Sequence, residues 1–211
     1  MPLNISLPRR RTRRQPESPA AVLRTLLERP EGEPITIGDM IHALGGRSFG
    51  VLLFVFAILS LIPAVVPGLS TILGLPLLFL SWQLAWGFAE PWIPNRLARR
   101  VVARPHIERL AGWARRFRPI ERMLRPRLLI LVTGPAQRVL GIVAVALSLL
   151  FILPIPAGNW LPGVAIAIIA LAVARRDGAA ALFGLLVAAG AFAFVGALVF
   201  GFTHAARSIF N

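Results

Sequence analysis

The chain has 211 residues, of which 56% are hydrophobic and only 15% are charged, and its mean hydropathy is +0.73. Soluble domains carry about 25% charged residues, so this composition excludes an ordinary soluble domain and predicts an integral membrane protein. The formal charge is +14, and all 23 basic residues are arginines. Because the arginines flank apolar blocks, as they do in cytoplasmic loops, we expect contact with the lipid bilayer and anionic head groups, and no nucleic acid partner.

The N-terminal region begins with a polar segment, residues 1–19, whose prolines and arginines are typical of a disordered cytoplasmic tail. No apolar stretch follows that would make a cleaved signal peptide. A short helix is predicted from Ala20 to Arg29. A second helix should begin after Thr36, which can cap it, with Asp39 in its first turn, and should end at Gly45-Gly46.

The first membrane region, residues 20–95, contains an apolar arm from Phe49 to Ile62 that leads into prolines and a glycine. An arm of this length covers only about 21 Å of a hydrocarbon core roughly 30 Å thick. We therefore expect a broken or re-entrant helical hairpin, whose second arm runs from Ile72 to Trp86. Three tryptophans are placed as an aromatic belt would be: Trp82, Trp86 and Trp92.

The linker, residues 96–132, is strongly basic and also carries regularly spaced apolar residues such as Ile107 and Leu110. Arginine on one face and bulky apolar residues on the other predict helices that lie in the headgroup plane. We interpret the segment as a cytoplasmic, amphipathic linker between two membrane regions.

The second membrane region, residues 133–177, repeats the pattern of the first: an apolar arm, a break rich in proline, and a second arm that begins at Trp160. A final region, 178–211, holds one apolar segment long enough to span the bilayer. Its small residues would allow close helix contact and hence a homodimer: Gly184, Gly190, Gly196 and Gly201.

The two membrane regions resemble each other closely enough to suggest an internal duplication. The matching elements are Pro63 with Pro154, Pro67-Gly68 with Pro156-Ala157-Gly158, and Pro76 with Pro162. The predicted fold is an all-α integral membrane protein with two pseudo-repeats of broken or re-entrant hairpins, a basic linker and a C-terminal span.

The two breaks are the candidate ligand site. Irregular backbone at membrane depth is tolerated where it is buried in protein or lines a polar cavity, and paired breaks mark binding sites in transporter folds. Free N–H groups at the following helix ends attract anions. The candidate residues are Gly68, Ser70, Thr71, Gly158 and Asn159. The alternative is that the breaks are simple turns in which Ser70, Thr71 and Asn159 cap helices.

Arg47 and Arg138 each stand just before the first arm of their region, so they join the candidate site. At these positions an arginine can bind a substrate anion or a lipid phosphate, or its side chain can simply extend to the membrane–water interface. The acidic residues lie outside the centres of the apolar arms. Asp39 and Asp177 are candidates for a cytoplasmic vestibule, or alternatively for a helix cap and a topology anchor.

Catalytic signatures are absent from the sequence. The three histidines are widely separated, so no metal site is expected, and no serine has a hydrolase frame and no loop of the Walker type occurs. We expect neither an enzyme nor a cofactor.

Several segments together resemble the ExoD family of bacterial inner-membrane proteins, named for exopolysaccharide synthesis. They are Ile37-Gly38-Asp39, Gly46 to Gly50, Ile62-Pro63 with Pro67-Gly68 and Gly74-Leu75-Pro76, Arg125-Pro126-Arg127, and Leu153 to Asn159. The resemblance covers about residues 20–200. It implies an inner-membrane location and a connection to exopolysaccharide production, and it supplies no mechanism.

Two functions are consistent with these features. The first is transport or permease-like handling of an anionic small molecule or lipid-linked saccharide precursor between the paired breaks. The second is a non-transporting scaffold or assembly factor for exopolysaccharide machinery. In either case we expect a multi-pass protein with a cytoplasmic N-terminus and an external C-terminus, since basic segments stay in the cytoplasm.

Overall fold

The computed structural model describes residues 19–30, 33–61, 69–116, 124, 127–153 and 159–210. Within these ranges the chain is helical, and its single β-type contact is an isolated antiparallel bridge between Thr36 and Val101. The predicted all-α fold is confirmed. The helices are α1 (Pro19–Leu27), α2 (Ile37–Leu44), α3 (Ser48–Ser60), α4 (Leu69–Trp86), α5 (Asn95–Ala98), α6 (Arg104–Arg116), α7 (Pro135–Ile152), α8 (Trp160–Arg175) and α9 (Gly178–Phe210).

Three helical stretches in the described residues are long and apolar enough to cross a membrane: Ile37–Ser60, Pro135–Ile152 and Gly178–Gly201. The first joins α2 to α3 through the 3-10 turn Gly45–Arg47, so the helix does not stop at Gly45-Gly46 as abruptly as predicted. Two shorter apolar helices accompany them, Ile72–Trp86 and Trp160–Arg175. The chain is therefore an integral membrane protein.

Four of these helices form an antiparallel bundle in which α3 packs on α8 and α4 packs on α7. Glycines allow the close contacts. A Cβ atom added to Gly50 of α3 would lie 2.5 Å from the carbonyl oxygen of Ala170 in α8, and one added to Gly141 of α7 would lie 2.6 Å from the Cα of Ala85 in α4. Backbones this close gain van der Waals contact, which holds helices together in a bilayer.

The bundle has two distinct ends. At one end, which we call the break end, Gly163 faces the side chain of Leu61, and Gly74 faces that of Ile152. The C-termini of α3 and α7 and the N-termini of α4 and α8 therefore lie at this end. We call the opposite end, where α3 and α7 begin, the basic end; there the Arg176 guanidinium lies beside Gly46.

These glycine contacts come in two equivalent sets. The contact of Gly50 with α8 corresponds to that of Gly141 with α4, and the contact of Gly74 with Ile152 corresponds to that of Gly163 with Leu61. Such correspondence is expected of two duplicated hairpins related by a two-fold axis along the bundle. It pairs Gly74 with Gly163, whereas the sequence comparison paired Pro76 with Pro162. The duplication itself stays a prediction.

The main core fills the space between the four bundle helices and the first half of α9. Its members are almost all aliphatic or aromatic, and they include Phe49, Leu53, Leu77, Leu84, Leu140, Leu147, Ile166, Ile169, Ala181 and Ala188. Each helix of the bundle contributes several of them. The described interior is therefore mainly apolar, with the buried polar side chains Ser48, Ser81 and Ser148 among the apolar ones.

A second, smaller core forms at the chain's N-terminal side, where α1 packs on α6. It contains Leu23, Leu26, Ile35, Ile107 and Ala111. The Arg104 side chain also ties α6 to α1 by donating hydrogen bonds to the carbonyl oxygens of Arg29 and Pro30. The apolar face of this linker was predicted to face lipid, whereas Ile107 and Ala111 are buried against α1.

Helix caps follow the predicted chemistry. The Thr36 hydroxyl accepts the Asp39 N–H at 3.1 Å, and the Asp39 carboxylate accepts the Thr36 N–H at 2.9 Å, which makes a capping box at the start of α2. Asp177 accepts the N–H groups of Ala179 and Ala180 at the start of α9. Both carboxylates therefore serve as helix caps, and the ion pair of Asp39 is with Arg29 at 3.7 Å.

The C-terminal helix α9 leaves the basic end beside α8, where Gly184 packs against Ile169. Its 33 residues would extend about 50 Å, well beyond the bundle. At Gly190, Gly196 and Gly201 no described atom lies within 4 Å of an added Cβ. This open face leaves the predicted homodimer a prediction.

Candidate functional site

The five candidate residues at the breaks are only partly described by the structure. Gly68 and Gly158 lie outside the described residues, whereas Ser70 and Thr71 lie in the first turn of α4. Asn159 immediately precedes α8. Since α4 and α8 both begin at the break end, the two helix N-termini lie at the same end of the bundle.

The side chain of Asn159 does not cap α8, although its position is that of an N-cap. Its backbone carbonyl accepts the Gly163 N–H at 3.2 Å, but its amide makes no capping hydrogen bond. The Oδ1 atom is buried and has no hydrogen-bond partner. A buried acceptor without a partner costs about 1–3 kcal/mol, so a donor supplied from outside the protein would be stabilising there.

Arg47 and Arg138 lie at the basic end, because they immediately precede or begin α3 and α7. The structure therefore separates the five described candidate residues into two groups at opposite ends of the bundle. Arg47 and Arg138 lie at the end opposite to Ser70, Thr71 and Asn159, because a whole helix stands between each arginine and the end of its first arm.

Arg138 lies against the end of the neighbouring helix α4. Its Nε atom would be 2.6 Å from a Cβ added to Gly87, and its Nη2 atom 3.0 Å from it. Gly87 has a φ of +89° and donates its N–H to the carbonyl of Gln83, which ends α4. A glycine is needed here twice, for the positive φ and for the space that the guanidinium occupies.

An aromatic groove lies beside this arginine, with a volume of about 500 Å³. It is lined by Phe79, Trp82, Gln83, Trp86, Phe88 and Trp92. Trp82 and Trp86 stack with ring centroids 5.8 Å apart. The Gln83 side chain holds the far wall, since its Oε1 accepts the Trp92 N–H at 2.6 Å and its Nε2 donates to the Trp92 carbonyl at 3.2 Å.

Sequence reasoning identified the three tryptophans of this groove as a belt and missed the groove itself. The i, i+3, i+4 and i+7 spacing of Phe79, Trp82, Gln83 and Trp86 places them on one face of a helix. That spacing was the available signal. The contact of Gly87 with Arg138 joins residues far apart in the chain, and no local pattern reveals it.

His42 pairs with Glu90 at 3.1 Å on the surface. In the described ranges, no group of three or more His, Cys, Asp or Glu side chains is placed to hold a metal ion. The basic end carries guanidinium groups, among them those of Arg138 and Arg176.

The helical bundle and its polar ends define a membrane-spanning all-α protein. In comparison with known families, residues 20–197 match the family described as "Exopolysaccharide synthesis, ExoD". The chain belongs to the ExoD family.

Two curated proteins are similar to this chain. One is "Protein ExoD" of Rhizobium meliloti (strain 1021), 31% identical over 174 residues, which are 80% of this chain and 70% of that protein. The other is "Uncharacterized protein slr1875" of Synechocystis sp., 24% identical over 165 residues, which are 74% of this chain and 76% of that protein. No solved structure matches significantly.

Proposed function

We propose that this chain acts in exopolysaccharide production by permease-like handling of an anionic small molecule or lipid-linked saccharide precursor at the break end. The observation that carries the proposal is the buried, unpartnered Oδ1 of Asn159 at the end where both breaks lie. The N-termini of α4 and α8 add N–H groups and positive dipole ends there. A ligand with both hydroxyl donors and anionic acceptors, such as a saccharide phosphate, suits this combination.

The proposed placement is a multi-pass protein of the bacterial inner membrane with its basic end in the cytoplasm. Arg47, Arg138, Arg175 and Arg176 all belong to that end. Cytoplasmic segments of membrane proteins are enriched in such residues. The break end would then lie toward the opposite surface, where a precursor would be released or received. The proposal requires no catalytic step by this chain.

A scaffold role in the same process is the second candidate, and the packing of the bundle favours it. The close contacts of Gly50 with α8 and of Gly141 with α4 make a tightly packed, mainly apolar interior in the described core. In addition, α4 and α7 are each long enough to cover about 27 Å of the hydrocarbon core, which is roughly 30 Å thick. The breaks would then be turns near the far surface, and binding to other proteins would depend on the basic linker that contains α6, which packs on α1 through the small apolar core.

A thermal-shift panel tests the first candidate. The purified protein is heated with phosphate, carboxylate, anionic lipid and sugar-nucleotide ligands. We expect one class to raise the melting temperature by several degrees, and Asn159→Ala and Ser70→Ala to remove that rise. Ser60→Ala is the matched control, because Ser60 also lies at the break end but its hydroxyl already donates to the Phe56 carbonyl at 2.7 Å.

The outcomes separate the two candidates. If no ligand stabilises the protein, or if Asn159→Ala responds like Ser60→Ala, the break-end site is wrong and the scaffold candidate stands. Exopolysaccharide yield in cells that carry these variants then gives the second readout. If the protein is a scaffold, Asn159→Ala should leave the exopolysaccharide yield unchanged. Arg104→Ala, which weakens the attachment of α6 to α1, should lower that yield.

A further inference from the structure

An arginine packs on the residue that separates two of the groove-lining rings, and this combination is not explained by an aromatic belt alone. A belt requires only that tryptophans lie at the depth of the head groups. Here Gly87 separates Trp86 and Phe88, two residues that line the groove, and the Arg138 guanidinium packs directly on Gly87. The groove therefore joins an apolar, concave surface to a positive charge.

The groove is also held in shape by the protein. Gln83 is buried, and both polar atoms of its amide bond the backbone of Trp92. The pair fixes the loop after α4 against the helix, so Trp92 faces Phe79 with ring centroids 6.4 Å apart. Because these walls are already rigid, binding of a flexible acyl chain does not also have to order the protein.

Arg138 is exposed, and among the described residues no carboxylate or hydrogen-bond acceptor is recorded for its guanidinium. Trp82 and Trp86, which line the groove, are 55% and 68% exposed. In a bilayer these surfaces face lipid, since α4 contributes them from the outside of the bundle. A molecule that places hydrocarbon on the rings and a negative group on the arginine would satisfy both.

We infer that this groove is a binding site for an anionic membrane phospholipid. Its phosphate contacts the guanidinium of Arg138, and its acyl chain lies along Phe79, Trp82 and Trp92. Charge complementarity selects this occupant, because a planar guanidinium at the interface matches phosphate oxygens. The inference does not depend on the break-end ligand, because the groove lies at the other end of the bundle.

The tryptophans provide the measurement. Trp113→Phe and Trp160→Phe together leave fluorescence only from Trp82, Trp86 and Trp92. This full-length protein is placed in nanodiscs of phosphatidylglycerol and phosphatidylcholine, with bromine quenchers on one lipid or the other. We expect the apparent affinity for phosphatidylglycerol to exceed that for phosphatidylcholine about five-fold, since one interfacial arginine contributes roughly that factor.

Two matched variants isolate the arginine. Arg138→Gln should bring the two lipids to equal affinity, whereas Arg109→Gln, which removes an exposed charge from α6, should leave the preference unchanged. A protein with Trp160 as its sole tryptophan reports an exposed ring outside the groove and should show no preference. Circular dichroism and thermal unfolding in the same nanodiscs verify that Arg138→Gln is folded.

Four results would overturn the inference. They are equal quenching by both lipids in the parent, a preference that survives in folded Arg138→Gln, an equal loss in Arg109→Gln, and displacement of phosphatidylglycerol by trace isoprenoid phosphate. Equal quenching would show that the groove is only an aromatic belt. A preference that survives in Arg138→Gln, or an equal loss in Arg109→Gln, would show that the preference comes from the overall positive charge. Displacement by isoprenoid phosphate would assign the groove to another lipid.

Discussion

At the scale of single residues, short polar contacts end and begin the helices of this protein. The capping box of Thr36 and Asp39 is one, and the acceptance of two N–H groups by Asp177 is another. The first was predicted from neighbouring residues, whereas Asp177 was predicted to line a vestibule or to anchor the topology and is found to cap α9. The unpartnered Asn159 was not predictable in this way, since whether a polar group finds a donor depends on the surrounding chain.

The Thr36 cap should make a measurable contribution to the free energy of unfolding. Thr36→Ala removes the hydroxyl that accepts the Asp39 N–H, so we expect a loss of about 1 kcal/mol in the free energy of unfolding. Faster hydrogen exchange of the Asp39 amide should accompany it. Thr36→Ser, which retains the hydroxyl, is the control, and an alanine variant as stable as the serine variant would show that the cap contributes nothing.

At the scale of elements, glycine determines how closely the helices approach. Gly50 and Gly141 occupy equivalent positions in the two hairpins, and each faces backbone rather than a flexible side chain. Backbone cannot move aside, so an added methyl group must push two helices apart. The end of α3, by contrast, follows from the proline that comes next in the sequence: α3 ends at Ser60, and the predicted end of this arm is Ile62.

Alanine at the two tight glycines should therefore destabilise the bundle. For Gly50→Ala and for Gly141→Ala we expect a loss of about 1–3 kcal/mol, the usual cost of overpacking a filled interior. Gly190→Ala is the matched control, because no described atom lies within 4 Å of its added Cβ, and better helix propensity should leave it unchanged or slightly more stable. The measurement is thermal unfolding in detergent. Equal stability of all three variants would contradict the observed packing.

At the scale of the whole molecule, the two hairpins point the same way: α4 and α8 both begin at one end, and Arg47, Arg138 and Arg176 lie at the other. Two fully crossing hairpins would place these ends on opposite sides of the membrane. Re-entrant hairpins would instead keep the break end inside the bilayer. The distinction decides whether a ligand at Asn159 is reached from outside the cell or from within the membrane.

Single cysteines can test this topology, because the chain has none of its own. We expect Arg109→Cys to react with an impermeant maleimide only in inside-out vesicles, and Trp160→Cys and His204→Cys only in intact spheroplasts. All three side chains are exposed, so access depends on the membrane alone. A Trp160→Cys protein that is unreactive from both sides would indicate a re-entrant hairpin, and reaction from the cytoplasmic side would reverse the proposed orientation.

The membrane class, the helical content and the capping box of α2 could be predicted from the sequence alone. These properties depend on hydropathy and on hydrogen bonds between residues that are close together in the chain. They can therefore be predicted from short stretches of sequence. Only the tertiary structure decided that Arg138 lies on Gly87, that Ile107 packs on α1, and that the candidate residues divide between two ends. Those contacts join residues distant in the chain, and they depend on how whole helices pack against one another.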